Sequence, residues 1–372
     1  MRVALLTYST RPRGGVVHTL ALAEALAARG DVEVTVVSLA RGGDTGFFRP
    51  VDPSVDVHLV PFPDRDGESV GERVLRSIDA LAGGFDPATV DLVHAQDCIS
   101  ANAFGRCVRT VHHLDRFSTP ELVACHERAI VRPFAHVCVS AAVASELADG
   151  WGISAEVIPN GVEADRFSAA AGDDPAAVAA RARWRERIGG PWVLSVGGIE
   201  PRKGTLDLVE AMATVQTARP GTRLVVAGGE TLFDYRDYRA EVDARCAELG
   251  VEPLVLGPVD HEELPALVAA SDAFAFPSTK EGFGLAAMEA LAAGVPVVCR
   301  DLPVLREVFD GAARFGATPG ELAAALVDAL DDDRGRFADA GRSLAARHTW
   351  AAAAARHATL YRHLLTSPAA TT

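Results

Sequence analysis

The chain has 372 residues, 49% of them hydrophobic and 23% charged, a globular composition of a length that usually divides into about two domains. With 36 basic against 50 acidic side chains the formal net charge is -14, which excludes nucleic acid or an anionic membrane as a partner held by bulk charge and leaves room only for a local basic spot. Six cysteines without a CxxC pair, a start "MRVALLTYS" too short for a signal-peptide core, and no run near about 20 apolar residues predict a reduced, cytoplasmic protein without a spanning segment.

Short β-branched runs alternate with alanine- and leucine-rich helical patterns from the start: "VALLTY", a helix over 16–29, "VEVTVVS", "DLVHA", "CVRTVHH", and "HVCVS" followed by a helix over 141–149. Runs of that length suit parallel strands buried on both faces, with crossover helices covering them. From Asn160 to Pro191 the pattern dissolves around Asn-Gly, Asp-Asp-Pro and Gly-Gly-Pro turns with one short helical piece, which reads as an interdomain connection. A second alternation follows: "WVLSVG", a helix over 203–218, "RLVVAGG", a helix over 234–249, "EPLVLG", a helix over 261–270, "AFAFPS", a helix from Gly284, and "VPVVCR". The expected fold is α/β, two doubly wound, Rossmann-like parallel sheets whose ligands collect outside the carboxyl ends of the strands and face a central cleft. "TSPAATT" reads as a frayed tail.

The chemistry-bearing residues fall at strand–helix junctions. After "AFAFPS", Gly282 and Gly284 let a ligand approach the backbone, and the helix start offers N–H groups to an anion such as a diphosphate. Glu281 precedes that helix and Glu289 lies inside it, at most about 12 Å along, comparable with a ribose–diphosphate–sugar unit, so two carboxylates can accept hydroxyl hydrogen bonds at opposite ends of one ligand. "SVGGIEPRKGT" also follows a strand and places Arg202 and Lys203 to neutralise phosphate, without the order of a Walker A loop. Gly14 and Gly15 close the first strand–helix turn. "TVHHLDRF" ends a strand with His112 and His113, and "DLVHAQD" ends one with His94 and Asp97, both open to an acceptor-side or a purely structural role. No metal-ligand spacing and no G-x-S-x-G nucleophile motif occur.

Taken in order, "PRGGVVHTLALAEAL", "VIPNGVEADRF", "SVGGIEPRKG", "VAGGE" and "PSTKEGFGLAAMEALAAGVPVV" resemble the retaining glycosyltransferases of family 4, which have the GT-B fold. The resemblance covers essentially the whole chain. It implies a residue 1–165 acceptor-side domain joined by a returning helix at 350–372, and a donor-binding domain at 166–349. It also implies that Glu289 binds the donor ribose, that Glu281 with the backbone of Gly282, Phe283, Gly284 and Leu285 faces the transferred sugar, and that Arg202 and Lys203, beside Gly198, hold the diphosphate. Gly14 and Gly15 then lie near the transfer centre and His112 contacts the donor sugar, with His113 in reserve and His94 and Asp97 toward the acceptor. The implied co-substrate is a UDP- or GDP-linked sugar, the acceptor a small molecule, glycan or lipid-linked sugar, and the reaction needs neither cofactor nor metal.

Two departures bear on the sugar: Lys280 stands where the family is usually neutral or aromatic, and "AARFGA" replaces an apolar ending after Asp310-Gly311. Two rival classes remain. Gly282 to Ala287 fits a loose G-x-G-x-x-A dinucleotide fingerprint of an NAD-dependent dehydrogenase, although it falls late in the second half and gives Glu289 no role. A non-catalytic nucleotide-sugar-binding protein is the other.

Overall fold

The computed structural model describes residues 1–114, 120–228, 235–332 and 337–366. The chain forms two compact units, one of Met1–Gly161 with the chain from Trp350, the other Val162–Thr349. The division falls at Gly161/Val162, slightly before the expected 165/166, and at the expected Trp350. Among the described residues, no helix is long and apolar enough to cross a membrane.

The first unit is built on β1 (Arg2–Thr7), β2 (Glu33–Arg41), β3 (Val55–Phe62), β4 (Leu92–Ala95), β5 (Val108–Val111), β6 (Ala135–Cys138) and β7 (Glu156–Val157). They form one parallel sheet in the order β3-β2-β1-β4-β5-β6-β7, with Leu5 opposite Val36 on one side and His94 on the other. The order reverses between β1 and β4, and a doubly wound sheet opens its ligand crevice at such a switch point. Val3, Leu5, Val36 and Leu92 on one face pack with Leu20 and Leu26 of helix Gly14–Ala27. Ala354, Ala358 and Tyr361 of helix Trp350–Thr366 close the same core, so the last helix belongs to this unit.

The second unit carries β8 (Trp192–Val196), β9 (Arg223–Ala227), β10 (Leu254–Gly257), β11 (Ala273–Phe276), β12 (Val297–Arg300) and β13 (Arg314–Gly316), in the parallel order β10-β9-β8-β11-β12-β13. Its switch point lies between β8 and β11. The loops after these two strands therefore hold the two motifs richest in glycine and charge.

Three elements escape periodicity. Strand β3, "VDVHLVPF", buries only Val55, Val60 and Phe62, which do not alternate regularly, and β7 and β13 are only two and three residues long. The segment read as an interdomain connection is instead two helices of the second unit, Ala164–Ala171 and Pro175–Ile188. Asp174 accepts the Ala176 and Ala177 N–H groups with Pro175 at the first helical position, so the Asp-Asp-Pro signal starts a helix and does not mark a bare turn. Phe167, Trp184 and Ile188 are buried, few and widely spaced enough to hide the amphipathic pattern. The tail beyond Thr366 and the Gly229 and Glu230 of "VAGGE" lie outside the described residues, as do residues 115–117 of "TVHHLDRF".

Candidate functional site

Beyond β8 the chain runs through Gly197 and Gly198 into a 3-10 turn, Pro201–Lys203, and then helix Thr205–Ala218. Gly204 joins turn and helix at φ +66°, where a Cβ would collide with the Pro277 carbonyl, so only glycine lets this loop touch the end of β11. The Thr279 N–H donates to the Arg202 carbonyl at 2.8 Å, tying the two loops together. Buried Arg300 braces the same corner through the Pro277 and Ala317 carbonyls at 2.8 and 3.0 Å.

That corner brings Arg202, Lys203 and Glu281 together across about eighty residues of sequence. Lys203 Nζ lies 2.7 Å and Arg202 Nη1 3.0 Å from the same Glu281 oxygen, Oε1. Arg202 Nη2 also reaches Glu200 at 2.8 Å, a partner that sequence reasoning missed although it stands two residues upstream. Two cations thus face two carboxylates in a half-buried cluster, and the Lys203 ammonium sits 5.3 Å from the centre of the Phe276 ring.

Immediately after Glu281 the helix Leu285–Ala292 starts from Gly284 at φ +98°. A Cβ there would stand 2.8 Å from Phe309, so the backbone is packed against an aromatic ring that only glycine clears. The first turn has neither an acidic residue nor a side-chain cap, leaving its N–H groups for a ligand. Phe283 is buried, edge-on to His348 at 5.6 Å, so it offers a ligand its backbone and not its ring. Gly282 is buried and Leu285 half-buried.

Glu289, in the second turn of this helix, is half-buried, and its carboxyl makes no hydrogen bond among the described residues. Burial pushes its pKa up to about 8, with Glu163 adding to the shift and Arg166 opposing it. Arg166 itself is held by Glu163 at 3.3 Å and by His261 Nε2 at 2.7 Å. A carboxyl in that state is a hydroxyl partner that accepts on one oxygen and, while protonated, donates from the other.

In the first unit, helix Gly14–Ala27 begins at Gly14 with no side-chain cap. Neither Gly14 nor Gly15 has a positive φ, and a Cβ on Gly14 would meet nothing within 4 Å, so a tight-turn requirement does not explain them. His112 stands just beyond β5, which ends at Val111, so the alternation expected to send His112 and His113 to opposite faces stops before them. The His112 Cδ2 and Nε2 atoms approach within 3.9 Å of where a Gly15 Cβ would lie, and its Nε2 is buried without a hydrogen-bond partner. Burial, then Arg109, His113 and His94, hold the ring far below its ordinary pKa, hence neutral. His113 is half-buried beside it. Edge-on to His112 at 4.7 Å lies His18, a buried ring held by Asn160 at 2.9 Å that sequence reasoning passed over inside an apolar helix.

His94 and Asp97 part company. His94 is fully buried with both nitrogens engaged, Nδ1 with the Tyr361 hydroxyl at 2.6 Å and Nε2 with Thr110 Oγ1 at 2.7 Å. It ties β4 to β5 and to the last helix, contacts of the structural kind that the sequence left open beside an acceptor-side role. Asp97 caps helix Cys98–Ala103 through the Ser100 N–H at 2.8 Å and takes the Tyr8 N–H at 2.9 Å. Burial raises its pKa, with Arg109 the leading opposing charge.

Residues 12–166 match the glycosyltransferase family 4 model, and residues 179–343 match that of glycosyl transferases group 1. Glycogen synthase of Mycobacterium tuberculosis is 31% identical over 266 residues, which are 68% of this chain but only 57% of that relative's length. Phosphatidyl-myo-inositol mannosyltransferase of Propionibacterium freudenreichii is 30% identical over 289 residues, covering 72% of this chain and 68% of that one. The crystal structure of Anabaena HepE in complex with UDP and glucose superposes with a TM-score of 0.75 at 20% identity, over 97% of this chain and 99% of that chain. The chain therefore belongs to family 4 of the glycosyltransferases, with the GT-B fold of two parallel-sheet domains.

Proposed function

We propose that the protein transfers a sugar from a nucleoside-diphosphate sugar, UDP- or GDP-linked, to an acceptor alcohol with retention of anomeric configuration and without a metal ion. The observation that carries this reading is the convergence of Arg202 and Lys203 on Glu281 beside an uncapped, glycine-started helix. Two cations and a set of free N–H groups suit a diphosphate, and they also stabilise it as the leaving group when the bond to the anomeric carbon breaks. In the free protein the Glu281 carboxylate occupies the cations. When a diphosphate takes them over, Glu281 is released to accept hydroxyl hydrogen bonds from the transferred sugar.

Glu289, desolvated and without a hydrogen-bonding partner among the described residues, takes the ribose hydroxyls. In the first unit, His112, kept neutral, and the open backbone at Gly14 and Gly15 suit the hydroxyl groups of a sugar. In the transfer step the acceptor oxygen bonds to the anomeric carbon on the face the phosphate leaves, and its proton passes to the departing phosphate oxygen. The family membership and the UDP and glucose seen in the Anabaena HepE structure support the donor class.

The test is calorimetric titration with UDP, GDP, ADP and NAD, with and without magnesium, on the native protein and on Glu289→Ala. One nucleoside diphosphate should bind independently of magnesium and weaken in the variant. Binding of NAD alone would move the protein to the dehydrogenase reading, and strict magnesium dependence would remove the metal-free mechanism.

A further inference from the structure

The switch point of the first unit holds a group of arginines that the donor chemistry does not use. Tyr8, just beyond the carboxyl end of β1, has two guanidinium groups over its ring, Arg13 at 5.9 Å and Arg41 at 5.4 Å from its centre. Arg41 also donates from Nε to the Tyr8 carbonyl at 3.1 Å and from Nη2 to Ser77 Oγ at 3.0 Å. The Tyr8 N–H in turn is held by Asp97, on which Arg109 of β5 acts as the leading counter-charge. Arg13 and Arg41 therefore meet at Tyr8, beyond the ends of β1 and β2, while Arg109, paired in β5 with Ala95 at the end of β4, acts on the Asp97 that holds the Tyr8 N–H.

Their pairing is what sets them apart. Among the described residues none of the three makes an ion pair, and the buried Arg13 Nε, Arg109 Nε and Arg109 Nη1 have no hydrogen-bond partner. Arg109 is only 7% exposed. Buried guanidinium N–H groups left unpaired cost free energy that a complementary anion recovers. Among the described residues Asp97 is the carboxylate that contacts Tyr8, and its two oxygens already serve the Ser100 and Tyr8 N–H groups. The rim adds Arg65, Arg73 and Arg76 against Asp64 and Glu68, of which Glu68 is bound by Arg76 at 2.5 Å. Arg41 is held below its ordinary pKa, by burial first and then by Arg73 and Arg13, the signature of like charges gathered together. In a chain of net charge -14, such a gathering at a ligand crevice is selective for an anion.

We propose that the first unit binds its acceptor through an anionic group of the phosphate class, held by Arg13, Arg41 and Arg109 around Tyr8 and Asp97. Planar guanidinium forks match phosphate oxygens in pairs, and the Tyr8 ring is a common contact that holds Arg13 and Arg41 near each other. This rests on the glycosyltransferase reading for the word acceptor, whereas the anion site stands on the arginines alone.

The experiment titrates inorganic phosphate at constant ionic strength, with chloride as the balancing anion, into the Arg202→Ala, Lys203→Ala double variant, so that the second unit contributes no signal. Phosphate should bind there, and adding Arg13→Gln, whose side chain makes no hydrogen bond among the described residues, should weaken it about tenfold with the melting temperature unchanged. Phosphate heats no larger than those of chloride, or equal affinity after Arg13→Gln, would overturn the proposal. Competition by glucose 6-phosphate identifies a soluble acceptor, and competition by phosphatidylcholine vesicles containing phosphatidic acid, but not by phosphatidylcholine alone, identifies a lipid one; either upholds the anion site. UDP binding to the native protein is read separately, so failure of the donor reading and failure of the anion site are distinct results.

Discussion

Lys203 Nζ and Arg202 Nη1 share a single oxygen of Glu281, at 2.7 and 3.0 Å, so the carboxylate stands where the proposed mechanism puts a phosphate. Glu281→Gln keeps the shape and removes the charge that competes for the two cations. UDP should then bind several-fold tighter, because the diphosphate no longer displaces an anion, while sugar transfer falls by at least about tenfold through loss of a charged hydroxyl acceptor. Calorimetry and turnover on the same preparation check both halves. Weaker UDP binding would show that Glu281 only orients the cations.

Removing the cations has the opposite signature. Arg202→Ala with Lys203→Ala should abolish transfer and UDP binding while the melting temperature moves little, since both side chains are partly solvated and neither fills the core. Near-native turnover in this double variant would remove the diphosphate assignment.

Glu289 gives a pH dependence of definite sign. Its folded pKa, about 8, lies above its ordinary value of 4.5, so the folded state holds a proton that the unfolded state has lost between those limits. Stability from this group is complete below 4.5, declines through that window, and is gone above about 8, at up to about 1.4 kcal/mol per pH unit. Glu289→Gln, neutral throughout, should flatten the decline and melt higher than the native protein at the alkaline end. Parallel melting curves across that window would show that the carboxyl is hydrated and that its recess is open.

The two glycine sites separate backbone strain from ligand approach. Gly284→Ala places a Cβ at φ +98° against Phe309, at 2.8 Å, and should destabilise the second unit by more than about 1 kcal/mol. Gly14→Ala meets nothing within 4 Å at the start of a helix, so the fold should gain up to about 1 kcal/mol. Transfer should nevertheless fall in Gly14→Ala if a donor approaches that backbone. Unchanged turnover there would take Gly14 out of the site.

These contrasts show what the sequence made legible. Arg202 and Lys203, or Glu281 and Glu289, are neighbours within one strand–helix junction, so residue order alone displays them as sets. Arg13, Arg41 and Arg109 come from three separate stretches, each an ordinary basic residue in its own, and only the strand order β2-β1-β4-β5 brings Arg13 and Arg41 to Tyr8 and Arg109 toward Asp97. The same reason hid the role of His94, whose partner Tyr361 is 267 residues away. Of the two helices over 164–188 only one short piece is legible, because three buried side chains carry their packing and most of the rest are polar or small.

The rings of His18, His94, His112 and His357 form a buried series in the first unit, with His18 6.5 Å and His94 5.7 Å from His357. All four are held below the ordinary histidine pKa, by burial first, and His357 is brought from 6.5 to about 4. The charged neighbours are Arg109, which lowers His94 and His112 further, and Arg356, which lowers His357; among the described residues no carboxylate compensates. Because these folded pKa values lie below the unfolded ones, the unfolded chain binds the extra protons, and stability present above 6.5 is lost as pH falls toward 4. His357 alone contributes up to about 3 kcal/mol across that interval. His357→Leu keeps a buried apolar group of similar size on the Trp350–Thr366 helix and should make the melting temperature less steep in pH between those limits. If the slope is unchanged, the ring takes its proton in the folded state, and the packing of the last helix against β4 is looser than the His94–Tyr361 hydrogen bond indicates.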